Sequence, residues 1–453
     1  MSDQPSSRRV WAAPATVLAL LALTAALVGT VLGGGTLGNS RPLYGWYVLD
    51  AVLFGLAVAL LRLTPPRAAT RLLLAGGVLV AAAGLVAPPR TSDDAYRYLW
   101  DGRVQAAGIS PYAHPPDAAE LAGLRARAPE LFPPGGDCGG WDERRAAAGF
   151  CSHVNRPGVP TVYPPVAEAW FAALYGAGGR YGVRAAQLGG FVLVLAVGAV
   201  LAAVLRERCW RVALWSWCPG VTVWAVNDAH VDTLGALLLL AGLLAARGAP
   251  GRRRTAGAGA LLGLAAATKL IPGIALPAAL SGVLARRPRT GLLLLPLTAL
   301  AAFGLSYLPY LVGSGRAVLG YLPGYLREEG YDRSSGADRF GLLRLLLPGQ
   351  LALVAGVLVL LAACWYVLRH GDPDRPWRGA VLLLGTALLV ATPAYPWYGL
   401  LLLALLPLDG RWEWLAVPAA GQVLYLGGGQ WAYGAALAAV VTGALVRRAA
   451  AGR

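Results

Sequence analysis

Long apolar runs, separated by short polar segments that are rich in arginine, dominate the chain. Many of them extend for 16 to 24 residues, and they follow one another almost to the C-terminus. A bilayer core is about 30 Å thick and an α-helix rises about 1.5 Å per residue, so such runs predict membrane-spanning helices. The first, Val10–Leu32, is too long for the core of a signal peptide and predicts a retained span. Including it, the pattern predicts about 12–14 transmembrane helices, at approximately 10–32, 46–61, 72–88, 185–205, 209–225, 231–246, 255–270, 271–285, 290–311, 350–368, 378–394, 396–408, 412–426 and 429–446.

Composition narrows the fold class. Hydrophobic residues make up 57% of the 453 residues and charged residues only 14%, whereas about a quarter of a soluble domain is charged. An outer-membrane barrel is excluded because the runs are continuous and far exceed the length of a strand. The sequence therefore predicts an all-α polytopic membrane protein, a multi-pass protein of the plasma membrane.

The net charge of +16 matters mainly through its distribution. If the N-terminus is cytoplasmic, the predicted spans place every second polar connection in the cytoplasm. These cytoplasmic segments and the two termini hold 22 of the 39 basic residues. This is the asymmetry of the positive-inside rule, and it also favours contact with lipid headgroups. We therefore expect both termini in the cytoplasm and no nucleic-acid partner.

Two longer polar segments remain, and this topology assigns both to the extracytoplasmic side. The larger extends from Arg90 to about Gly182, and the smaller extends from Gly313 to Arg339. Chemistry in water is thus expected outside the cytoplasm. The chain divides into N-terminal transmembrane helices (1–89), an extracytoplasmic catalytic loop with amphipathic helices (90–182), central transmembrane helices (183–311), a second extracytoplasmic loop (312–349) and C-terminal transmembrane helices (350–453).

The larger loop opens with acidic residues that suit the start of a helix. Thr91 or Ser92 can cap a helix that begins near Asp94, where a carboxylate suits the helix dipole. Its apolar side, which includes Trp100, can lie on the membrane surface. Asp93 and Asp94 repel one another, and partial desolvation could raise the pKa of one of them, which suits a general base. Alternatively, these acids only neutralise Arg97 and the dipole.

The stretch from Asp94 to Tyr112 resembles the signature of glycosyltransferase family 87, in the GT-C superfamily, and of related polyprenyl-phosphate-mannose-dependent mannosyltransferases. In it an acid is followed by aromatic residues, then by Gly102-Arg103, and then by a glycine and Pro111-Tyr112. Further pieces fit in the same order, and the resemblance covers about residues 70–400. These pieces are Val162-Tyr-Pro-Pro165, Trp217-Cys-Pro219, Asn227-Asp-Ala-His-Val-Asp232, Thr268-Lys-Leu-Ile-Pro272 and Tyr395-Pro-Trp-Tyr398.

The resemblance implies a GT-C-like bundle with a long first extracytoplasmic loop and a hexosyltransferase activity. It places the catalytic acid in this loop. Asp94 is the favoured residue, and Asp93 is the alternative. The carboxylate would take a proton from the acceptor hydroxyl, which attacks the anomeric carbon of a polyprenyl-phosphate sugar with inversion. Mannose is favoured by the resemblance alone, and arabinofuranose or glucose remains open. The implied partners are the lipid-linked sugar donor, a glycan, lipoglycan or glycolipid acceptor, and membrane lipids.

A departing phosphate needs cations or N–H donors. The candidate cations are Arg103, Lys269, Arg97, Arg156 and Arg339. Lys269 is the only lysine and lies within an apolar stretch, where an ionisable residue is a functional candidate, although it could also snorkel from a helix end. Candidates for substrate binding are Tyr112, Tyr163, His230, Asp232, Tyr395 and Trp397.

Two further expectations concern metals and disulfides. Asp93, Asp94, His230 and Asp232 could in principle bind a hard cation, but enzymes of the resembled donor class generally work without metal, so we expect no cofactor. Cys138 and Cys151 lie in the larger loop with twelve residues between them. Outside the cytoplasm such a pair can be oxidised, and a disulfide is expected.

A transporter or lipid-linked-sugar flippase is the main alternative, because many spans around a cavity would also suit it. Transporters often show internal repeats and polar residues near the middle of a span. Here almost all acids fall near predicted outer ends, and the two halves do not resemble each other. The sequence therefore favours the enzyme.

Overall fold

The computed structural model describes residues 11–135, 138–248, 251–285, 293–328 and 339–451. These residues form helices and a single two-stranded ladder, which confirms the all-α polytopic fold class. The N-terminal helices are α1 (Ala12–Gly33), α2 (Arg41–Leu63) and α3 (Pro66–Ala83). The loop that follows contains α4 (Asp94–Ala106), a 3₁₀ turn (Ala119–Leu121), α5 (Ala122–Arg125), β1 (Arg144–Arg145), β2 (Cys151–Ser152), α6 (Pro165–Gly178) and a second 3₁₀ turn (Gly179–Tyr181).

The rest of the chain is a series of apolar helices and short 3₁₀ segments. The α-helices are α7 (Val183–Val204), α8 (Ala213–Ser216), α9 (Asp232–Ala246), α10 (Arg252–Ala266), α11 (Leu294–Ser306), α12 (Leu308–Ser314), α13 (Leu322–Glu328), α14 (Gly341–Arg344), α15 (Gly349–His370), α16 (Pro376–Ala391), α17 (Leu400–Asp409), α18 (Ala416–Tyr425) and α19 (Trp431–Ala451). The 3₁₀ segments are Arg206–Val212, Ile271–Leu280, Val283–Ala285, Gly315–Leu319, Pro396–Gly399 and Trp412–Leu415, and Val221–Asn227 is π-helical.

Fewer helices have the length and apolarity of a membrane span than the sequence predicts. Among the described residues there are six, or seven if the bent pair Val221–Asn227 and Asp232–Ala246 forms one span. Three further apolar helices are shorter, at Ile271–Ala285, Pro376–Ala391 and Pro396–Asp409. Prolines explain part of the difference, because Pro272 and Pro277 lie in the first of these segments and Pro396 and Pro407 in the last. The expected 12–14 helices are therefore not all present as continuous spans.

The core is formed where the central helices enclose α17. All ten residues of α17 are buried, as expected for a helix that is apolar on every side. In contrast, α15 exposes Leu351, Leu358 and Leu361, as suits a lipid-facing helix. The helices thus divide into an enclosed core and an apolar outer layer.

A second, smaller core lies within the loop and corrects one expectation. Leu99, Trp100 and Val104 of α4 pack against Leu131 and Val154 of the same loop, rather than on the membrane surface. Trp100 is only 1% exposed. The apolar side of α4 therefore holds the loop together.

Candidate active site

A cavity of about 540 Å³ lies beside the start of α4. One part of its wall is polar and contains Asp93, Asp94, Arg144 and Asn155. The other part is apolar and aromatic, and consists largely of Leu270, Ile271, Tyr321, Leu322, Tyr325 and Leu326. The cavity therefore joins a charged end to a surface that suits an apolar chain.

The start of α4 is fixed by contacts with its own residues and with the membrane helices. The helix begins at Asp94, as predicted, and the backbone N–H of Asp94 donates to Oγ of Ser92 at 3.3 Å. Asp228 lies at the bend between Val221–Asn227 and α9, and its Oδ1 accepts the backbone N–H groups of Arg90 and Thr91, each at 3.2 Å. The hydroxyl of Thr91 donates to Oδ2 of the same carboxylate. Asp228 thus anchors the beginning of the loop to the bundle.

The two adjacent carboxylates share one amide. Nδ2 of Asn155 donates to Oδ1 of Asp94 at 2.5 Å and to Oδ1 of Asp93 at 3.2 Å. Asp93 also forms an ion pair with Arg144, at 2.9 Å, and Oδ2 of Asp94 accepts a hydrogen bond from the hydroxyl of Tyr163 at 3.1 Å. Both carboxylates are therefore held by groups from distant parts of the loop.

Burial, followed by the charge of Asp94, raises the pKa of Asp93 to about 6, although Arg144 opposes this shift. The Asp93 side chain is 13% exposed. Asp93 can therefore bind a proton in the mildly acidic range.

Behind the carboxylates, residues from the bend before α9, from α9 itself and from later segments form a second layer. Nδ1 of His230 lies 3.5 Å from Oδ2 of Asp94, and its ring stacks on Trp397 with 3.8 Å between the ring centroids. Asp232 pairs with Lys269 at 2.7 Å, and the Lys269 ammonium lies 4.8 Å above the ring of Tyr398. The structure thus brings His230, Asp232 and Lys269 together with Asp94, although only Lys269 of these three lines the cavity.

Two arginines approach the cavity from the aromatic side. Arg156 pairs with Glu328 at 3.0 Å and lies 5.4 Å above Tyr325. Arg339 is 5% exposed and lies 5.5 Å above Tyr395. Together with Arg97, Arg144 and Lys269 they give five cations, against two carboxylates, among the described residues of the wall. Four of these cations are paired with carboxylates, so the wall offers N–H donors to an anionic ligand rather than a large net positive charge.

Arg97 touches the cavity, but its contacts serve the interior of the loop. It pairs with Asp101 at 2.9 Å, and both side chains are nearly inaccessible, at 3% and 2% exposed. Glu168 lies beside this pair and accepts hydrogen bonds from Thr161 and Gln105, at 2.6 Å and 2.9 Å. Burial raises the pKa of Glu168 well above its usual range, and the negative charge of Asp101 adds to this effect. This buried network joins α4 to α6 and to the chain at Thr161.

Besides His230 and Asp232, two further predicted site residues do not line the cavity. Arg103 pairs with Glu130 at 3.0 Å, donates to the carbonyl of Arg127 and lies over the ring of Tyr175. Tyr112 is buried and donates its hydroxyl to the backbone carbonyl of Tyr163 at 2.7 Å. The structure does not bring Arg103 together with the other cations, and Tyr112 reaches the site only through Tyr163.

Tyr395 and Trp397 line the cavity and stack on each other with 5.0 Å between their ring centroids. Beside them, the hydroxyls of Tyr325 and Tyr398 are 2.8 Å apart. These residues give the cavity aromatic groups next to hydrogen-bonding hydroxyls, a combination that suits a sugar.

The disulfide that joins Cys138 and Cys151 closes a segment of the loop next to the cavity. This segment contains the ladder, in which Arg144 pairs with Ser152 and Arg145 pairs with Cys151. The ladder places Arg144 beside Asp93. The other three cysteines, Cys209, Cys218 and Cys364, are free thiols.

The described residues can be compared with the ligand sets that metal ions need. No group of three or more His, Cys, Asp or Glu side chains among them could hold a metal ion. Metal independence and the absence of a cofactor stay predictions.

Three residues at the carboxylates were not among the sequence candidates. These are Arg144, Asn155 and Tyr425, which all line the cavity. Only Asn155 had a nearby signal, because it precedes the candidate Arg156. Arg144 and Tyr425 lie far along the chain from Asp94, and no spacing rule connects them to it.

Comparison with known proteins gives one match. The family model described as glycosyltransferase family 87 matches residues 161–393, which is just over half of the chain. The matched part includes Tyr163, His230, Asp232, Lys269 and Arg339, whereas the two carboxylates precede it. No curated protein and no solved structure matches the chain significantly.

Proposed function

The chain belongs to glycosyltransferase family 87, and from this premise we propose that it transfers a sugar from a polyprenyl-phosphate donor to a glycan, lipoglycan or glycolipid acceptor. The membership and the apolar helices make it a membrane glycosyltransferase. Mannose is the proposed sugar, on the resemblance of the first motif. The proposed location is the plasma membrane, with the active site on the extracytoplasmic side and the loop 90–182 as its catalytic part.

One observation carries this proposal: two carboxylates, five cations and an apolar aromatic surface line the same cavity. A lipid-linked sugar phosphate combines the corresponding chemistry, with an apolar chain, an anionic phosphate and a sugar. The apolar residues Leu270, Ile271 and Leu322 suit the first part of the lipid chain. The stacked rings of Tyr395 and Trp397 suit the sugar.

Asp94 is the proposed general base. Asp93 carries an ion pair with Arg144, whereas Asp94 is held by the neutral donors Asn155 and Tyr163. In the proposed step, Asp94 takes the proton of the acceptor hydroxyl while the hydroxyl oxygen forms a bond to the anomeric carbon. The bond from that carbon to the phosphate oxygen breaks, and the phosphate keeps the electron pair. The configuration at the carbon is inverted, and no general acid is needed.

Lys269, Arg156 and Arg339 are the proposed contacts of the donor phosphate. Each of them lines the cavity. Asp232 holds the Lys269 ammonium at 2.7 Å but leaves two of its three N–H donors for other partners. Arg103 is not part of this proposal, because Glu130 and the carbonyl of Arg127 occupy its guanidinium away from the cavity.

The experiment that tests the proposal is transfer by the purified protein in liposomes. A panel of polyprenyl-phosphate sugars is supplied with glycan and glycolipid acceptors, and the new linkage is identified by mass spectrometry and NMR. We expect transfer from one donor, with inversion and without added metal. Lys269→Gln should lower kcat/KM for the donor about 10- to 100-fold, because a charge-assisted hydrogen bond is worth roughly 1.5–3 kcal/mol.

The matched control is Arg316→Gln, since Arg316 is exposed and does not line the cavity. It should leave donor use unchanged. Movement of a labelled donor between leaflets is measured in the same liposomes. Lipid movement without transfer from any donor would contradict the enzyme and support the flippase.

A further inference from the structure

A single side-chain amide bridges the two carboxylates of the site. The two N–H groups of Asn155 can donate to Asp93 and Asp94 at the same time, at 3.2 Å and 2.5 Å. Asn155 also lines the cavity. Because the amide is neutral, it can hold two negative groups close together without becoming an ionic partner of either.

The position of Asn155 is set by the part of the loop that precedes it. The neighbouring Val154 is fully buried and packs in the cluster that contains Leu99 and Trp100 of α4. The backbone N–H of His153 donates to the carbonyl of Leu131 at 2.9 Å. The amide is therefore attached to the same core that holds α4.

Arg144 reaches Asp93 from the same part of the loop. It lies in β1, which pairs with β2 at the disulfide between Cys138 and Cys151. Its guanidinium binds Oδ2 of Asp93, while Asn155 binds Oδ1. We call residues 138–155, which contain the ladder and end at Asn155, the clamp segment.

We propose that Asn155 is a positioning residue, and that the clamp segment uses it together with Arg144 to hold Asp93 and Asp94 as a fixed, ionised pair. The link to sugar transfer rests on the proposed function. The effect on the carboxylates themselves does not depend on it.

The physical basis is the repulsion between adjacent carboxylates. Two negative groups on consecutive residues disfavour joint ionisation, whereas N–H donors and a guanidinium favour the charged forms. Loss of the amide should therefore make protonation of the pair easier and allow the two side chains to separate. The other titratable and charged groups around the pair are Arg156, His230, Asp228, Asp232, Tyr96, Tyr98, Tyr163 and Tyr425.

The test compares Asn155→Ala, Asn155→Gln and Arg144→Gln with the wild type. For each protein, kcat and KM for the donor are measured across pH, and the protonated carboxyl band is followed by infrared titration. In Asn155→Ala the acid limb of kcat should move up by about one to two pH units, because a hydrogen bond to a charged group is lost. KM for the donor should change less than twofold, and Asn155→Gln should recover part of kcat because it keeps the amide.

The matched control is Arg145→Gln, since Arg145 is exposed on the adjacent position of β1 and does not line the cavity. It should keep the wild-type pH profile, whereas Arg144→Gln should shift it in the same direction as Asn155→Ala. If Asn155→Ala does not fold, the pH profiles of Arg144→Gln and Arg145→Gln test the clamp instead. Wild-type pH profiles and infrared titrations in both Asn155→Ala and Arg144→Gln would overturn the clamp. A wild-type protein that transfers no sugar would instead overturn the proposed function, and the infrared titration would still test the clamp.

Discussion

The two ends of α4 carry charged residues of the same sequence motif but have different surroundings. At the N-terminal end, Asp93 and Asp94 face the cavity. At the C-terminal end, Arg103 is held by Glu130 and lies over Tyr175. Gly102 belongs to the second environment as well, since a Cβ there would collide with the carbonyl oxygen of Phe171 in α6. A shared motif thus combines residues that line the cavity with residues that pack against the rest of the loop.

The largest expected effect is at the N-terminal end. Asp94→Asn keeps the size of the side chain and one of the two acceptor oxygens that Asn155 and Tyr163 contact, but it cannot take the acceptor proton. General-base catalysis is commonly worth about 10²–10⁴ in rate, so kcat should fall at least about 100-fold. Binding of the donor should persist. The value of kcat is measured by steady-state transfer, and donor affinity is measured by direct titration.

The control for this prediction is Arg103→Gln, which should retain kcat because Arg103 lies away from the cavity. If Asp94→Asn keeps the wild-type kcat, or if both variants lose kcat equally, the two ends of α4 do not differ in their importance for transfer. An inactive Asp93→Asn with an active Asp94→Asn would exchange the roles of the two carboxylates.

The next effect concerns stability at Asp93 and depends on pH. Its folded pKa of about 6 lies above the usual value of 3.8, so the unfolded chain releases this proton more readily. The resulting stability is fully present below about pH 4 and is lost as the pH rises to about 6, with an upper bound of roughly 3 kcal/mol. Asp93→Asn should therefore unfold at a higher temperature than the wild type at pH 7.5.

This difference should narrow as the pH falls from about 6 to about 4, where the wild-type carboxyl becomes protonated. Thermal unfolding in detergent over this range measures it. A difference that stays constant with pH would indicate that Asp93 is not buried as the structure shows.

The smallest effect is expected at the C-terminal end. The partner of Arg103, Glu130, is 47% exposed, and such ion pairs are worth about 0–1 kcal/mol. Arg103→Gln should therefore lower the free energy of unfolding by less than about 1 kcal/mol, as measured by thermal unfolding. A loss several times larger would mean that this end of α4 is essential to the fold.

The sequence predicted structural features that are determined by residues close together along the chain, such as the start of a helix. The start of α4 near Asp94 was predicted correctly, but the expected cap at Thr91 or Ser92 was not, since the N-cap residue is Asp93 and it forms no side-chain cap hydrogen bond. The apolar side of α4 was misassigned to the membrane, since lipid and a protein core select the same side chains. Trp100 packs against the loop in the structure.

The predicted site was incomplete for a similar reason. Asn155 and Arg144 lie more than 50 residues along the chain from the carboxylates, with mostly irregular chain between α4 and the ladder, where no periodicity indicates which residues meet. Fewer of the described helices are continuous and of span length than the pattern predicts, because a hydropathy pattern does not show where proline divides an apolar run. Lys269 was recognisable in advance because it is a single cation within such a run.

The attachment of the loop at Asp228 has a consequence for how such enzymes can diversify. Asp228 fixes the entry of the loop at Arg90 and Thr91, and α4 begins directly after this point. The depth of the carboxylates relative to the bundle is thus set before the rest of the loop is reached. Changes farther along the loop can therefore alter the surroundings of the carboxylates while the point at which α4 leaves the bundle stays the same.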